Sequence, residues 1–432
     1  DGTGTGEAIY VTARGYPGDS SSYTGKPASI TGLVIQNTLI AAAGALALTV
    51  GNVDGVDLLG STGITGDVLV FLSGEIELSG NGIDGDVTFA YDDADAVEQP
   101  VLVGNTVTGE VIAIDARDIV AAEGVDRIIL EDGGTDPNPD ATGNASANTI
   151  VGNSGANILA GLGGDDTLQG GDGNDTLEGG SGNDAIDGGA GDDLVLYTVG
   201  DGTDTVDGGI GTDTLSVSGT AAAESFTVEA DGANTRFLVD VGNDGSDELT
   251  ATSVENLTIA TGNGGDTVTL TGSFTGTGLT GIAVTGGTGA DTMNASAASN
   301  VAVTFDGAGG NDVLTGSAGV DTLGGGDGDD TIAGGLGADA LSGGAGTDNF
   351  NVTIAGYVAG ETINGGSGTD TVTVSGTGTF DMNVGSITAV ERVQLSAGTA
   401  LVANATAGLA VFGTAGADTV QLGAGGQSAT ML

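Results

Sequence analysis

Cysteine, histidine and tryptophan are absent from the 432 residues, and only six residues are basic. Without cysteine there is no disulfide framework, and no redox compartment can be read. Without cysteine and histidine, zinc and transition-metal sites lose their usual ligands. The same lack removes Ser-His-Asp triads and histidine-based zinc motifs. The six bases, Arg14, Lys26, Arg117, Arg127, Arg236 and Arg392, stand against 59 acids, for a formal charge of −53. Such a chain cannot neutralise a phosphate backbone, so nucleic acid is excluded as a partner. An anionic membrane surface is excluded on the same ground. The longest apolar run, Leu39 to Val50, is too short to span a bilayer and predicts a buried strand, with no membrane insertion. The sequence begins without methionine or an export signal, as a mature product or a fragment would.

High negative charge with few aromatics usually means disorder. Here 38% of residues are apolar, and they recur regularly. Order must therefore depend on something that cancels charge, and a divalent cation is the simplest candidate.

The regularity is a nine-residue repeat. Residues 143–196 divide into GNASANTIV, GNSGANILA, GLGGDDTLQ, GGDGNDTLE, GGSGNDAID and GGAGDDLVL. An eleven-residue variant (197–207) and GGIGTDTLS close this block at Ser216. A second block, 307–351, reads GAGGNDVLT, GSAGVDTLG, GGDGDDTIA, GGLGADALS and GGAGTDNFN. Single copies begin at Gly286, Gly365 and Gly413. Glycine at the first, second and fourth places permits a tight turn with positive φ. The last three residues form a short strand whose middle side chain points inward, because strand side chains alternate. Leu168, Leu177, Ile186 and Val195 are such residues in the first block, and Leu314, Leu323, Ile332, Leu341 and Phe350 in the second. One turn buries almost nothing; stacking builds the core.

Two nonads per coil bring turns eighteen residues apart onto one edge. This pairs Asp166 with Asp184, Asp175 with Asp193, Asp312 with Asp330, Asp321 with Asp339, and Asp330 with Asp348. Carboxylates one strand spacing apart, roughly 4.8 Å, repel by about 3–4 kcal/mol at an effective dielectric of 20. A calcium ion between them reverses the sign, because it seeks six to eight oxygens at about 2.3–2.6 Å. The expected cofactor is therefore Ca2+, several ions per chain. The candidate side-chain ligands are Asp166, Asp175, Asp184, Asp193, Asp204, Asp213, Asp291, Asp312, Asp321, Asp330, Asp339, Asp348, Asp370 and Asp418. Asn148 and Asn157 take the same place in the opening nonads, with one oxygen and no charge, so these coils either bind weakly or act as an uncharged cap. Backbone carbonyls of Gly161, Gly163, Gly170, Asp172, Gly179, Ser181, Gly188, Ala190, Gly316, Gly325, Asp327, Gly334 and Leu336 would complete the shells. The eleven-residue variant leaves the register of Asp204 open. Asp291, Asp370 and Asp418 lack a partner at eighteen residues, and bind only where spacers supply ligands.

These nonads resemble the calcium-binding repeat G-G-x-G-x-D-x-U-x of the RTX family of Gram-negative bacteria, a pattern already known. The resemblance implies a parallel β-roll with calcium in its turns, type I secretion and an extracellular location. RTX rolls are attached to toxins, proteases, lipases, adhesins and surface-layer proteins. The echoed units GGIGTDTLSVSGT (from Gly208) and GGSGTDTVTVSGT (from Gly365), each followed by a Thr/Ser/Gly-rich spacer, resemble the surface-layer and adhesin-like members.

The expected fold is all-β: calcium-stabilised parallel β-roll blocks, β-rich spacers and an N-terminal all-β domain. Residues 1–139 form that domain, a sandwich or an irregular solenoid, ending in the linker DGGTDPNP (132–139). Residues 140–216 are the first roll, 217–285 a spacer, 286–373 the second roll, and 374–432 a β-rich segment. The one short stretch with a helical period is 116–122. The expected function is a surface-layer or filament subunit whose partners are copies of itself, or a cell-surface polysaccharide. The alternative is an adhesin segment that binds through residues 1–139, where Asp92, Asp93, Asp95 and Glu98 cluster. No enzyme is expected: nothing marks a catalytic residue, and Arg236 is the only base between 128 and 391.

Overall fold

The computed structural model describes residues 139–231, 236–242, 247–403 and 409–413, and elsewhere the strands alone. Asp418, the cluster Asp92–Glu98 and most of the 132–139 linker lie outside the described residues. Two compact units, Asp1–Asp213 and Thr214–Leu432, make up the chain. Among the described residues there is no helix.

In the first unit, parallel pairing joins strands two steps apart in the sequence, which is the signature of a two-sided roll. One ladder runs Thr149–Val151, Thr167–Asp172, Ala185–Ala190 and Asp204–Ile210. The other runs Ala141–Thr142, Ile158–Gly163, Thr176–Ser181 and Leu194–Thr198. Within the nonads Thr167 meets Ala185 and Thr176 meets Leu194, an offset of eighteen. The middle residues Leu159, Leu168, Leu177 and Val195 are buried to within 1%. Hydrophobic burial along the axis is thus continuous although each coil contributes only two short strands.

The same parallel pattern reaches back before residue 140. Val87–Tyr91 pairs with Val111–Ile114, which pairs with Arg127–Glu131, which pairs with Thr149–Val151. The apolar run from Leu39 lies in the strand Leu39–Leu59, which pairs in parallel with Gly63–Leu72. Within the stretch 116–122, Ile119–Val120 is a strand, and its other residues lie outside the described ones. Its β-branched pair joins Ala141–Thr142 in the ladder, and tertiary pairing overrides the weak local period.

In the second unit the inner columns run Ile259, Val284, Phe305, Leu323, Leu341, Ile363, Ile387 on one side. On the other they run Phe226, Val268, Met293, Leu314, Ile332, Phe350, Val372, Val393, Val411. Spacer strands and nonad strands share these columns. One local exception is antiparallel: Arg236–Val241 pairs with both Ser225–Ala230 and Leu249–Thr252.

Candidate metal centre

The sixth place of each nonad sits at the end of the turn, just before the strand. Strand alternation puts it on the same side as the inward eighth residue, and every described candidate there is at most 3% exposed. That holds for Asp166, Asp175, Asp184, Asp193, Asp204, Asp213, Asp291, Asp312, Asp321, Asp330, Asp339, Asp348 and Asp370, and for Asn148 and Asn157. Burying so many acids is costly unless each oxygen finds a partner.

One oxygen does. In column after column the backbone N–H of the sixth residue donates to a carboxylate oxygen of the acid one coil later, Oδ1 where that acid is aspartate. In the first unit Asn148 donates to Asp166 at 2.6 Å, Asp166 to Asp184 at 2.7 Å and Asp184 to Asp204 at 2.9 Å. On the other edge Asn157 donates to Asp175, Asp175 to Asp193 and Asp193 to Asp213 at 2.7–2.8 Å. In the second unit one chain of bonds links Glu224, Asp266, Asp291, Asp312, Asp330, Asp348, Asp370 and Glu391. A shorter chain links Val303, Asp321, Asp339 and Glu361. An outer ladder at the fifth place runs the opposite way: Asn183 N–H donates to Asp165 Oδ1, and Asp329 N–H to Asn311 Oδ1. The two ladders pin each turn to its neighbours from both directions.

The second oxygen does not. Oδ2 of Asp166, Asp175, Asp184, Asp193, Asp266, Asp291, Asp312, Asp330, Asp339, Asp348 and Asp370 is buried with no hydrogen-bond partner. All but Asp266, which has Thr261 at the first place, face a cradle that only glycine permits. A Cβ on Gly161 would collide with Asp166 Oδ2 and with the Gly179 carbonyl oxygen. The same holds at Gly170 (Asp175 and Gly188), Gly325 (Asp330 and Gly343) and Gly343 (Asp348 and Gly365). An orphaned anionic oxygen beside a carbonyl oxygen, with no N–H aimed at it, is a cation seat. The donor set is all hard oxygen, which suits calcium. Among the described residues no group of three or more acids converges. An ion would therefore rest on one or two carboxylates and otherwise on carbonyls such as those of Gly179, Gly188, Gly325, Gly343 and Gly365. The third-place carbonyls of Ser181, Ala190 and Asp327 already accept N–H bonds from Gly164, Gly173 and Gly310. Calcium, when bound, supplies the positive charge that these oxygens otherwise lack.

Burial pushes Asp166, Asp175, Asp312, Asp339 and Asp348 up to about 6, against the opposing effect of their backbone N–H bonds. Like charge from stacked neighbours adds to the rise, as Asp184 does for Asp166. Asp204 rises to about 7, again by burial first.

The eleven-residue variant restores register rather than breaking it. Tyr197 and Thr198 are two extra residues, so Asp204 lies twenty residues from Asp184 and still accepts its N–H. Asp291 and Asp370, without a partner at eighteen, have them at other spacings: Asp266 and Asp312 for Asp291, Asp348 and Glu391 for Asp370. Asp266, Glu361, Glu391 and Glu224 were not among the sequence candidates. Each precedes an x-apolar pair (Val268, Ile363, Val393, Phe226), the part of the nonad that survives when its glycines do not.

No curated protein matches the chain. The sequence profile of the RTX calcium-binding nonapeptide repeat matches residues 142–175, 161–195, 198–215, 285–323, 304–332 and 324–354, together about a third of the chain. The matched segments carry all the orphaned carboxylates named above except Asp266 and Asp370. The chain therefore carries RTX calcium-binding repeats, folded as a parallel β-roll with Ca2+ as their ligand.

Proposed function

We propose that the chain is an extracellular structural protein, a subunit of a cell-surface layer or filament, that calcium orders and that has no catalytic role. The observation that carries this reading is the run of buried carboxylates with one unpartnered oxygen each. A roll built this way is incomplete until a divalent ion enters. Low calcium inside a cell would leave it loose, and the higher level outside would order it, since extracellular calcium modules bind at about 0.1–1 mM. At 100 times the dissociation constant each site adds roughly 2.7 kcal/mol.

Charge favours assembly through the same ion. Outward acids such as Glu178, Asp187 and Asp207 have few cations to meet, and Arg236 is already paired with Asp231 at 2.7 Å. Copies repel one another in the absence of divalent ions and can be bridged in their presence. Among the described residues no helix is long and apolar enough to cross a membrane.

Electron microscopy and circular dichroism with and without calcium test the proposal. Ordered arrays or fibres that appear only with calcium are the expected result. Dispersed monomers in millimolar calcium would overturn the assembly reading. Full β-sheet signal after exhaustive chelation would overturn the calcium-ordering reading beneath it.

A further inference from the structure

Three described nonads differ from the rest in a way that bears on where calcium goes; outside the nonads, Thr220 Oγ1 donates to Glu224 and accepts the Ala222 N–H in the same manner. At Asp321 the second place of the nonad is Ser317, which is 4% exposed. Its N–H donates to Asp321 Oδ2 at 2.7 Å, and its Oγ lies 3.1 Å from both carboxylate oxygens. Val303 N–H donates to Asp321 Oδ1 at 2.9 Å. The carboxylate thus has protein donors on both oxygens, and its Oδ2 is not among the orphaned atoms. Ser317 Oγ in turn accepts the Gly319 N–H at 2.9 Å.

The two asparagine turns close in the same way. Asn144 N–H donates to Asn148 Oδ1 at 2.7 Å, and Asn153 N–H to Asn157 Oδ1 at 2.9 Å. The second-place side chains accept the fourth-place N–H, from Ser146 to Asn144 and from Gly155 to Asn153, both at 2.8 Å. Asn157 Oδ1 faces the Gly152 cradle, and its amide nitrogen turns toward the preceding coil. Its Nδ2 donates to the Pro139 carbonyl at 2.7 Å and to Asn153 Oδ1 at 3.1 Å. The oxygen in the cradle is thus the one that the Asn153 N–H caps.

Backbone conformation separates the two kinds of turn. The second place of open turns is left-handed (φ is 76° at Leu162, 108° at Gly171, 67° at Ala308, 104° at Gly326 and 105° at Gly335), with Gly287 before Asp291 the exception. Asn144, Asn153 and Ser317 are not among the left-handed residues. Positive φ re-aims the peptide between the first and second places, so its N–H no longer points at the sixth side chain. The second residue thus selects whether the carboxylate is capped by protein or left for a metal. A capped carboxylate has spent its lone pairs on hydrogen bonds, and an ion there would face an N–H and an O–H proton.

The three closed turns share a position. Asn148, Asn157 and Asp321 each stand first in their bonded column: Leu130, Pro139 and Val303 precede them at eighteen residues. We propose that these three turns are calcium-free rungs, closed by their own donors, and that calcium enters only the open turns that follow them. The inference rests on calcium binding by the open turns, and it makes Ser317 the residue that denies Asp321 a metal.

Bound calcium per chain, measured by equilibrium dialysis with elemental analysis at saturating calcium, tests this. Asp330→Asn, in an open turn, should lower the count. Asp321→Asn should leave it unchanged. Ser317→Gly, which restores the open-turn residue and removes the capping hydroxyl, should raise it by one. Loss of an ion in Asp321→Asn, or no gain in a Ser317→Gly chain that retains the wild-type circular dichroism, overturns the inference. If the wild-type chain binds no calcium, the underlying reading fails instead, so the two failures are distinguishable. Should Ser317→Gly unfold, the unchanged or lowered count in Asp321→Asn alone still decides the matter.

Discussion

Protons should substitute for calcium. Asp166, Asp175, Asp312, Asp339 and Asp348 have carboxyls pushed up to about 6 by burial in the calcium-free fold, against about 3.9 in an unfolded chain. A raised folded value means the native state binds the proton more tightly than the unfolded state. Stability from these groups is then fully present below the unfolded value and is lost as pH rises through the folded one. The window runs from about pH 4 to about pH 6, and for Asp204, at about 7, one unit further. Each shift of about two units converts to about 3 kcal/mol. Solvent screening at the turn surface reduces this to on the order of 1–2 kcal/mol. Five groups together reach on the order of 5–10 kcal/mol, comparable with the whole stability of an ordinary domain.

The assay follows from the window. Protein stripped of calcium on a chelating resin should show weak β-sheet circular dichroism at about pH 7.5 and recover it at about pH 5, still above the pI of about 4.1. Calcium added at about pH 6 should release protons, because it competes for the same oxygens. If the stripped chain has the same spectrum and thermal midpoint at both pH values, the carboxylates are not what limits the calcium-free fold, and the electrostatic reasoning is refuted.

Other perturbations separate the cradle from the core. Gly325→Ala places a methyl against Asp330 Oδ2 and the Gly343 carbonyl, so bound calcium should fall by one ion, as read by elemental analysis. Leu177→Ala removes a fully buried side chain and should cost about 2–5 kcal/mol, seen as a lower thermal midpoint in saturating calcium with the ion count unchanged. Magnesium demands near-octahedral geometry at about 2.0–2.1 Å and sheds water reluctantly. At equal concentration it should fail to restore the sheet signal of the stripped protein.

How much of this was legible in the sequence depended on which part of the nonad survived. Where glycine stood at the first, second and fourth places, the turn, the acid and the inward apolar residue could all be placed by counting, as at Asp175 and Leu177. Two of the four overlooked acids have a changed first place: Thr261 before Asp266, Ser386 before Glu391. Glu361 has Tyr357 and Ala359 at the second and fourth places. The signal left was an acid two residues before an apolar one, too common to trust alone. The asparagine turns stood out by their missing charge, but the capped turn at Asp321 was missed for a different reason. A serine or asparagine in place of glycine reads as a minor variation, whereas its N–H and side chain decide the fate of a carboxylate four residues on.

Spacing misled more than composition did. The bond from backbone N–H to the next acid spans eighteen residues inside the blocks, but twenty at Asp184 and twenty-five at Asp266. Loop closure explains the tolerance: stretching a coil from eighteen to twenty-five residues adds only about 0.3 kcal/mol of closure entropy. A net hydrogen bond is worth about 1 kcal/mol, and a buried Val or Leu about 1.5–3 kcal/mol. Insertions between rungs are therefore cheap beside the contacts that re-form after them. What the roll cannot lose cheaply is the alignment of strand starts, because that single alignment stacks Val268 on Met293 and at the same time brings the Asp266 N–H to the Asp291 carboxylate. Core packing and the ion column are set by one register, so any sequence that keeps the core in step also delivers its acids, in line, to the calcium.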